Sequence, residues 1–162
     1  MASRKLRRGE VQGAYPVFKD SLPWGHITLT DREGAGRSLY VMGRTVHVGP
    51  EYFTKGMDQV QGGVSDLVHE LTHVWQHEHG VNGAVYLVGS IAAQVVHGKA
   101  EAYVYTEGKP WNAYNPEQQA QIVRHWFAGG MSPSDSLFPY VRDNIWAKSY
   151  DPKTEGARDM KW

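Results

Sequence analysis

An α+β domain is the fold class that these 162 residues predict, with a small antiparallel sheet or hairpin followed by a mostly helical bundle. Three observations carry it. Residues 39–48 hold two β-rich runs separated by two residues, residues 64–75 repeat apolar side chains at helical steps, and residues 115–130 carry both ends of a capped helix. Residues 13–150 then read as one domain. Residues 1–12, with Arg4, Lys5, Arg7 and Arg8, read as a solvated basic lead-in, either a linker or the cut edge of a longer chain. Residues 151–162 read as a polar tail.

The elements follow in order. His26 to Thr30 favours a strand, and Asp31 to Arg37 is rich in turn formers. Leu39–Met42 and Thr45–Val48 flank Gly43-Arg44, and glycine at the first turn position suits a type II′ hairpin. Gly49-Pro50 closes the strand section. After Gly62-Gly63, Val64, Leu67, Val68, Leu71, Val74 and Trp75 recur at steps of three and four, as one apolar helix face requires. Ser65 is the expected N-cap, and Gly80 the stop. A second helix is expected from Asn82 to about Val96, closed by Gly98. Asn115-Pro116-Glu117 opens a third, with cap, proline at the first helical position and an acid in the first turn. Its apolar face is Ala120, Ile122, Val123, Trp126 and Phe127, and Gly129-Gly130 end it. A last helix is expected over Leu137–Lys148.

Composition removes several function classes. Lys plus Arg is 17 and Asp plus Glu is 17, so there is no basic excess to grip nucleic acid or anionic lipid. There is no Cys, which excludes disulfides, thiolate metal sites and a cysteine nucleophile. The longest apolar run, Gly83–Val96, is about six residues short of a spanning helix and is interrupted by Ser90 and Gln94. It reads as a buried core helix. No signal peptide is evident, since no apolar stretch follows the basic start.

Residues 69–73 read His-Glu-Leu-Thr-His. On a helix, positions four apart lie on one face, about 6 Å apart along the axis, so His69 and His73 can converge on one cation. Glu70 projects about 100° further round, suited to accept a proton from an activated water without ligating the metal itself. This is the H-E-x-x-H arrangement of zinc peptidases. The bland reading is two surface histidines salt-bridged by Glu70. His77 lies eight residues from His69, about 12 Å of rise, and cannot share the ion. His77 and His79 read as exposed or capping residues, and His26, His47, His97 and His125 as structural ones.

A catalytic zinc, one per chain, needs a third protein ligand and an open position. Without Cys, the candidates are Glu101, Glu107 and Glu117. Glu107 sits in a turn-forming stretch and reads as solvated. Glu117 is preferred over Glu101, because Asn115-Pro116 pins the start of its helix and the opposite face can pack beside the motif helix. Glu101 remains the rival, or a residue that orients a histidine. Tyr103, Tyr105, Tyr114 and His125 are open alternatives for the donor to a tetrahedral oxyanion.

His69–Gln76, Glu101–Tyr105 and Asn115–Val123 together resemble the zinc metallopeptidase toxin domains at the C-termini of type VI secretion spike (VgrG) proteins and related Rhs-type proteins. The resemblance covers roughly residues 35–150. It implies a zincin-like, gluzincin-type fold with His69, His73 and Glu117 as ligands and Glu70 as general base. It also implies a protein or peptide substrate, an upstream spike, a cognate immunity protein in the producer, and antibacterial action in the periplasm of the target cell. A competing reading is a non-catalytic zinc-containing module that docks on a cell-envelope partner, motivated by six Trp and nine Tyr. A third is membrane disruption by Gly83–Val96.

Overall fold

A computed structural model of the chain describes residues 2–32, 39–79 and 103–149. The helix expected from Asn82, the rival ligand Glu101, His97, most of the turn-rich stretch before Arg37 and the tail from 151 lie outside the described residues. In order, the chain forms β1 (Ser3–Lys5), α1 (Arg8–Phe18), β2 (Thr28–Asp31), β3 (Tyr40–Met42), β4 (Thr45–Val48), α2 (Pro50–Lys55), α3 (Gly63–His79), α4 (Pro116–Ala128) and α5 (Phe138–Tyr140). A π-helical turn, Val141–Ile145, continues from α5. The class is α+β, a small sheet with helices, as the sequence predicts. Among the described residues, no helix is long and apolar enough to cross a membrane.

The sheet corrects the expectation of antiparallel strands. Its order is β1-β2-β4-β3, and β2 pairs with β4 in parallel. The β3–β4 hairpin is as expected: Met42 faces Thr45, leaving Gly43-Arg44 as the loop, with Gly43 at φ 61°. Glycine adopts that conformation without a Cβ penalty. The parallel pair arises because β2 and β4 are not joined directly, so hairpin reasoning does not reach it.

The reading of residues 1–12 as a solvated lead-in is also corrected. Ser3, Arg4 and Lys5 pair with Thr30, Leu29 and Thr28 on β2. Leu6 and Val11 are buried, and Val11, Ala14, Val17 and Phe18 give α1 an inward face. Glu10 anchors this corner. Its carboxylate accepts from Arg4 Nη1 and Nη2 at 2.8 and 2.9 Å, and from the Arg7 and Met57 amides at 2.7 and 2.9 Å. Arg4, which composition alone assigns to solvent, has its charge neutralised inside the fold.

The central helix, α3, is buried over ten consecutive residues, Leu67–Gln76. It begins at Gly63, so Ser65 lies in the first turn and is not the cap. A Cβ at Gly63 would stand 2.0 Å from the Met57 carbonyl oxygen, which is why the chain can close there only with glycine. α4 matches its expected limits. Asn115 Oδ1 accepts from the Gln118 amide at 2.8 Å, and Gln118 Oε1 accepts from the Asn115 amide at 2.9 Å, a reciprocal cap. The last helix is shorter than expected. It loses its regular ladder to the π turn, whose Val141 and Ile145 are buried, and Trp146 Nε1 donates to the α1 carbonyl of Val17 at 2.7 Å.

Candidate metal centre

α3 and α4 meet through a ladder of polar contacts. Asp66 pairs with Arg124 at 2.8 Å, His69 meets Gln121 and Glu117, His73 meets Glu117, and Gln76 reaches Pro116 and Gln119. Partners ascend on α3 as they descend on α4, so the helices are antiparallel. This crossing brings the first turn of α4 against the middle of α3.

His69 Nε2 lies 3.0 Å from Glu117 Oε2, and His73 Nε2 lies 3.0 Å from Glu117 Oε1. The two imidazoles stand edge to face, with centroids 5.1 Å apart. One ligand atom from each of the three residues lies within 4.8 Å of the others, and among the described residues this is the one such cluster. The three preferred ligands therefore come together, 48 and 44 residues apart in sequence. Glu117 is 1% exposed and both histidines 5%, which removes the reading of surface histidines.

Electrostatics inside the cluster are strong. Burial pushes the Glu70 carboxyl above its ordinary range, and the facing Glu117 and nearby Asp66 add to that, against the two histidines. Burial opposes a charged His73, but the Glu117 carboxylate overrides it and pushes His73 up to about 9. Burial would likewise raise Glu117, yet His73 and His69 hold it well below the carboxylate range. Two buried atoms of the cluster have no hydrogen-bond partner among the described residues: Glu70 Oε2 and His73 Nε2. His73 Nε2 is within ion-pair distance of Glu117 but off the axis that a hydrogen bond requires.

That arrangement fits a divalent cation. Buried polar atoms are rarely left unpaired. Two imidazole nitrogens and a carboxylate oxygen are a zinc donor set, and ligands at about 2.0–2.1 Å from a tetrahedral zinc stand about 3.4 Å from one another. The opposite ring nitrogens are engaged as metal-ligating histidines require: His69 Nδ1 faces Gln121 Oε1 at 2.9 Å, and His73 Nδ1 faces Gln76 Oε1 at 2.8 Å. Sequence reading missed both glutamines. Their spacing was the available signal, since Gln76 is three residues beyond His73 and Gln121 four beyond Glu117.

Of the four candidate oxyanion donors, Tyr103 stands at the cluster. Its ring centroid is 5.8 Å from that of His69, and burial, then Glu117 and Glu70, push its hydroxyl up to about 12. Tyr105 is bonded to His125 Nδ1 at 2.6 Å, and Tyr114 holds the 106–109 turn through Thr106 O and Lys109 N. His26, His77 and His125 are exposed, and His79 Nε2 meets Ser21 O at 2.6 Å. His47 stacks on Tyr40 at 4.2 Å, and the Arg32 guanidinium lies 4.6 Å from the centroid of the Tyr40 ring. A cavity of about 510 Å³ lies at the start of α3, lined by Tyr52, Gln61, Asp66 and Arg124 among others, one turn before His69.

Fold and site together define a small α+β domain built around a buried cluster of two histidines and one carboxylate. No family model matches the chain. It is 38% identical to the type VI secretion system spike protein VgrG2b of Pseudomonas aeruginosa over an alignment of 164 positions that takes in 89% of this chain. The chain spans about 15% of that protein's length. Among solved structures, the effector domain of Pseudomonas aeruginosa VgrG2b matches with a TM-score of 0.63 and 31% identity, covering 89% of this chain and 84% of that one. The chain belongs to the family of VgrG2b effector domains.

Proposed function

We propose that this domain is a zinc-dependent peptide-bond hydrolase, delivered on a type VI secretion spike as an antibacterial effector and acting in the target periplasm. The observation that carries the catalytic part is the convergence of His69 Nε2 and His73 Nε2 on one carboxylate, with Glu70 Oε2 buried and without a partner among the described residues. Delivery rests on the relationship to a secretion spike protein. On this reading the substrate is a protein or a wall peptide, and the producing cell needs an immunity partner.

A zinc ion held by His69, His73 and Glu117 supplies Lewis acidity, which polarises a peptide carbonyl and lowers the pKa of water. Glu70 takes the proton from the attacking water as its oxygen bonds to the carbonyl carbon. It then delivers that proton to the departing amine nitrogen as the C–N bond breaks. Burial raises the Glu70 pKa above its ordinary value, which makes the carboxylate a stronger base for the water proton. Tyr103 keeps its proton at neutral pH and donates it in a hydrogen bond to the developing oxyanion. A closed, purely structural zinc site needs a fourth protein ligand, and among the described residues no His, Asp or Glu joins the three.

Glu70→Gln tests the reading. The variant is expected to fold and to retain one zinc per chain while peptide hydrolysis falls by about 10²–10⁴ and periplasmic toxicity is lost. Full toxicity of the folded variant overturns the catalytic assignment. A wild-type protein that takes up no zinc overturns the metal.

A further inference from the structure

Behind His73 runs a chain of amides whose polarity is set at its far end. Trp111 O and Pro116 O are carbonyl oxygens and only accept. Gln119 Nε2 donates to Trp111 O at 3.0 Å, so Gln119 turns its Oε1 back towards α3. Gln76 Nε2 donates to that oxygen at 2.9 Å and to Pro116 O at 3.0 Å. Gln76 must therefore present Oε1 to His73 Nδ1, at 2.8 Å. An oxygen in that place accepts only from a protonated Nδ1, which leaves the neutral ring with its lone pair on Nε2, the nitrogen on the Glu117 side and the one a cation would take. Gln76 and Gln119 are 2% and 1% exposed, so water does not compete for these bonds.

The same amide holds the other half of the site. Pro116 immediately precedes Glu117, and its carbonyl is one of the two groups that Gln76 grips. His69 has a simpler arrangement, for among the described residues its Nδ1 meets Gln121 alone. We propose that Gln76 is a positioning residue for the metal centre: it fixes the tautomer and orientation of His73 and ties that ligand to the turn that presents Glu117, with Gln119 setting its polarity. This rests on the zinc reading above. An uncharged amide at this point leaves the ion with more of its positive charge than a carboxylate partner would.

Zinc dissociation constants of the purified chain, from competition with a chromophoric chelator, test it without reference to activity. Gln76→Ala is expected to weaken zinc by about 10–100-fold. Gln76→Glu restores an acceptor to His73 Nδ1 but cannot donate to Pro116 O or Gln119 Oε1, and is expected to recover most of that loss. Gln119→Met leaves every group touching His73 in place, and is expected to cost about threefold to tenfold. Wild-type zinc binding matched within about threefold by Gln76→Ala overturns the proposal alone, as does Gln76→Glu binding as weakly as Gln76→Ala, since the residue then only ties the helices together. If Gln76→Ala does not fold, undiminished affinity in Gln119→Met overturns it. A wild type that binds no zinc removes the metal reading as well.

Discussion

Tyr103 shows how much a single side chain can owe to its neighbours. Its hydroxyl feels two carboxylates, Glu117 and Glu70, and is partly withdrawn from water, so loss of its proton is disfavoured well beyond neutral pH. A group that stays protonated is a donor through the working range. Tyr103→Phe is therefore expected to lower kcat by about 10²–10³ with zinc content unchanged, read from steady-state hydrolysis and metal analysis. Equal kcat in the variant would move the oxyanion role elsewhere. Glu70 and Glu117 make the complementary point: they carry the same functional group, yet burial dominates one and two imidazoles dominate the other, so their pKa values are driven apart.

At the scale of elements, the corner formed by β1, α1 and the turn at Met57 depends on one buried carboxylate. Burial alone would raise the Glu10 pKa, but the Arg4 guanidinium and two backbone amides hold it below the ordinary value. Glu10→Gln sets an amide NH2 against that guanidinium and the amide donors, and is expected to cost about 3–5 kcal/mol at pH 7 in urea unfolding. The pH dependence follows from the depressed folded-state pKa. This stabilisation is complete above the unfolded value of about 4.3 and is lost as pH falls through the folded one. The stability gap between wild type and Glu10→Gln is accordingly expected to be constant from pH 6 to 8 and to shrink below about pH 4. A gap that persists unchanged at pH 3 would mean that the carboxylate charge is not what matters.

For the whole molecule, the proposed metal centre is the seam between two otherwise separate parts of the chain. α3 carries two of the proposed ligands and the start of α4 the third, so an ion held there would bind the folded state and not the unfolded one. Free zinc at 100 times its Kd is expected to add about 2.7 kcal/mol, or about 5–10 °C in Tm for a chain of this size. Differential scanning calorimetry checks this, and His73→Ala is expected to abolish the shift. A shift that survives His73→Ala would place the zinc elsewhere.

Periodicity and end signals by themselves determined α3, α4 and the β3–β4 hairpin, because caps, glycine turns and apolar steps act within a few residues of one another. The pairing of His69 with His73 was legible for the same reason, since one helical turn fixes their separation. Glu117 was legible only as a preference, through the rigid start of its helix. The parallel β2–β4 pair, the pairing of a half-buried Arg4 with a buried Glu10, and the glutamines behind the two histidines were decided by the tertiary structure. The strand pair and the contact of His69 with Gln121 depend on which surfaces meet across dozens of residues. Arg4 with Glu10 and His73 with Gln76 are close in sequence but hidden for another reason: a polar side chain looks the same in sequence whether it faces water or a buried partner.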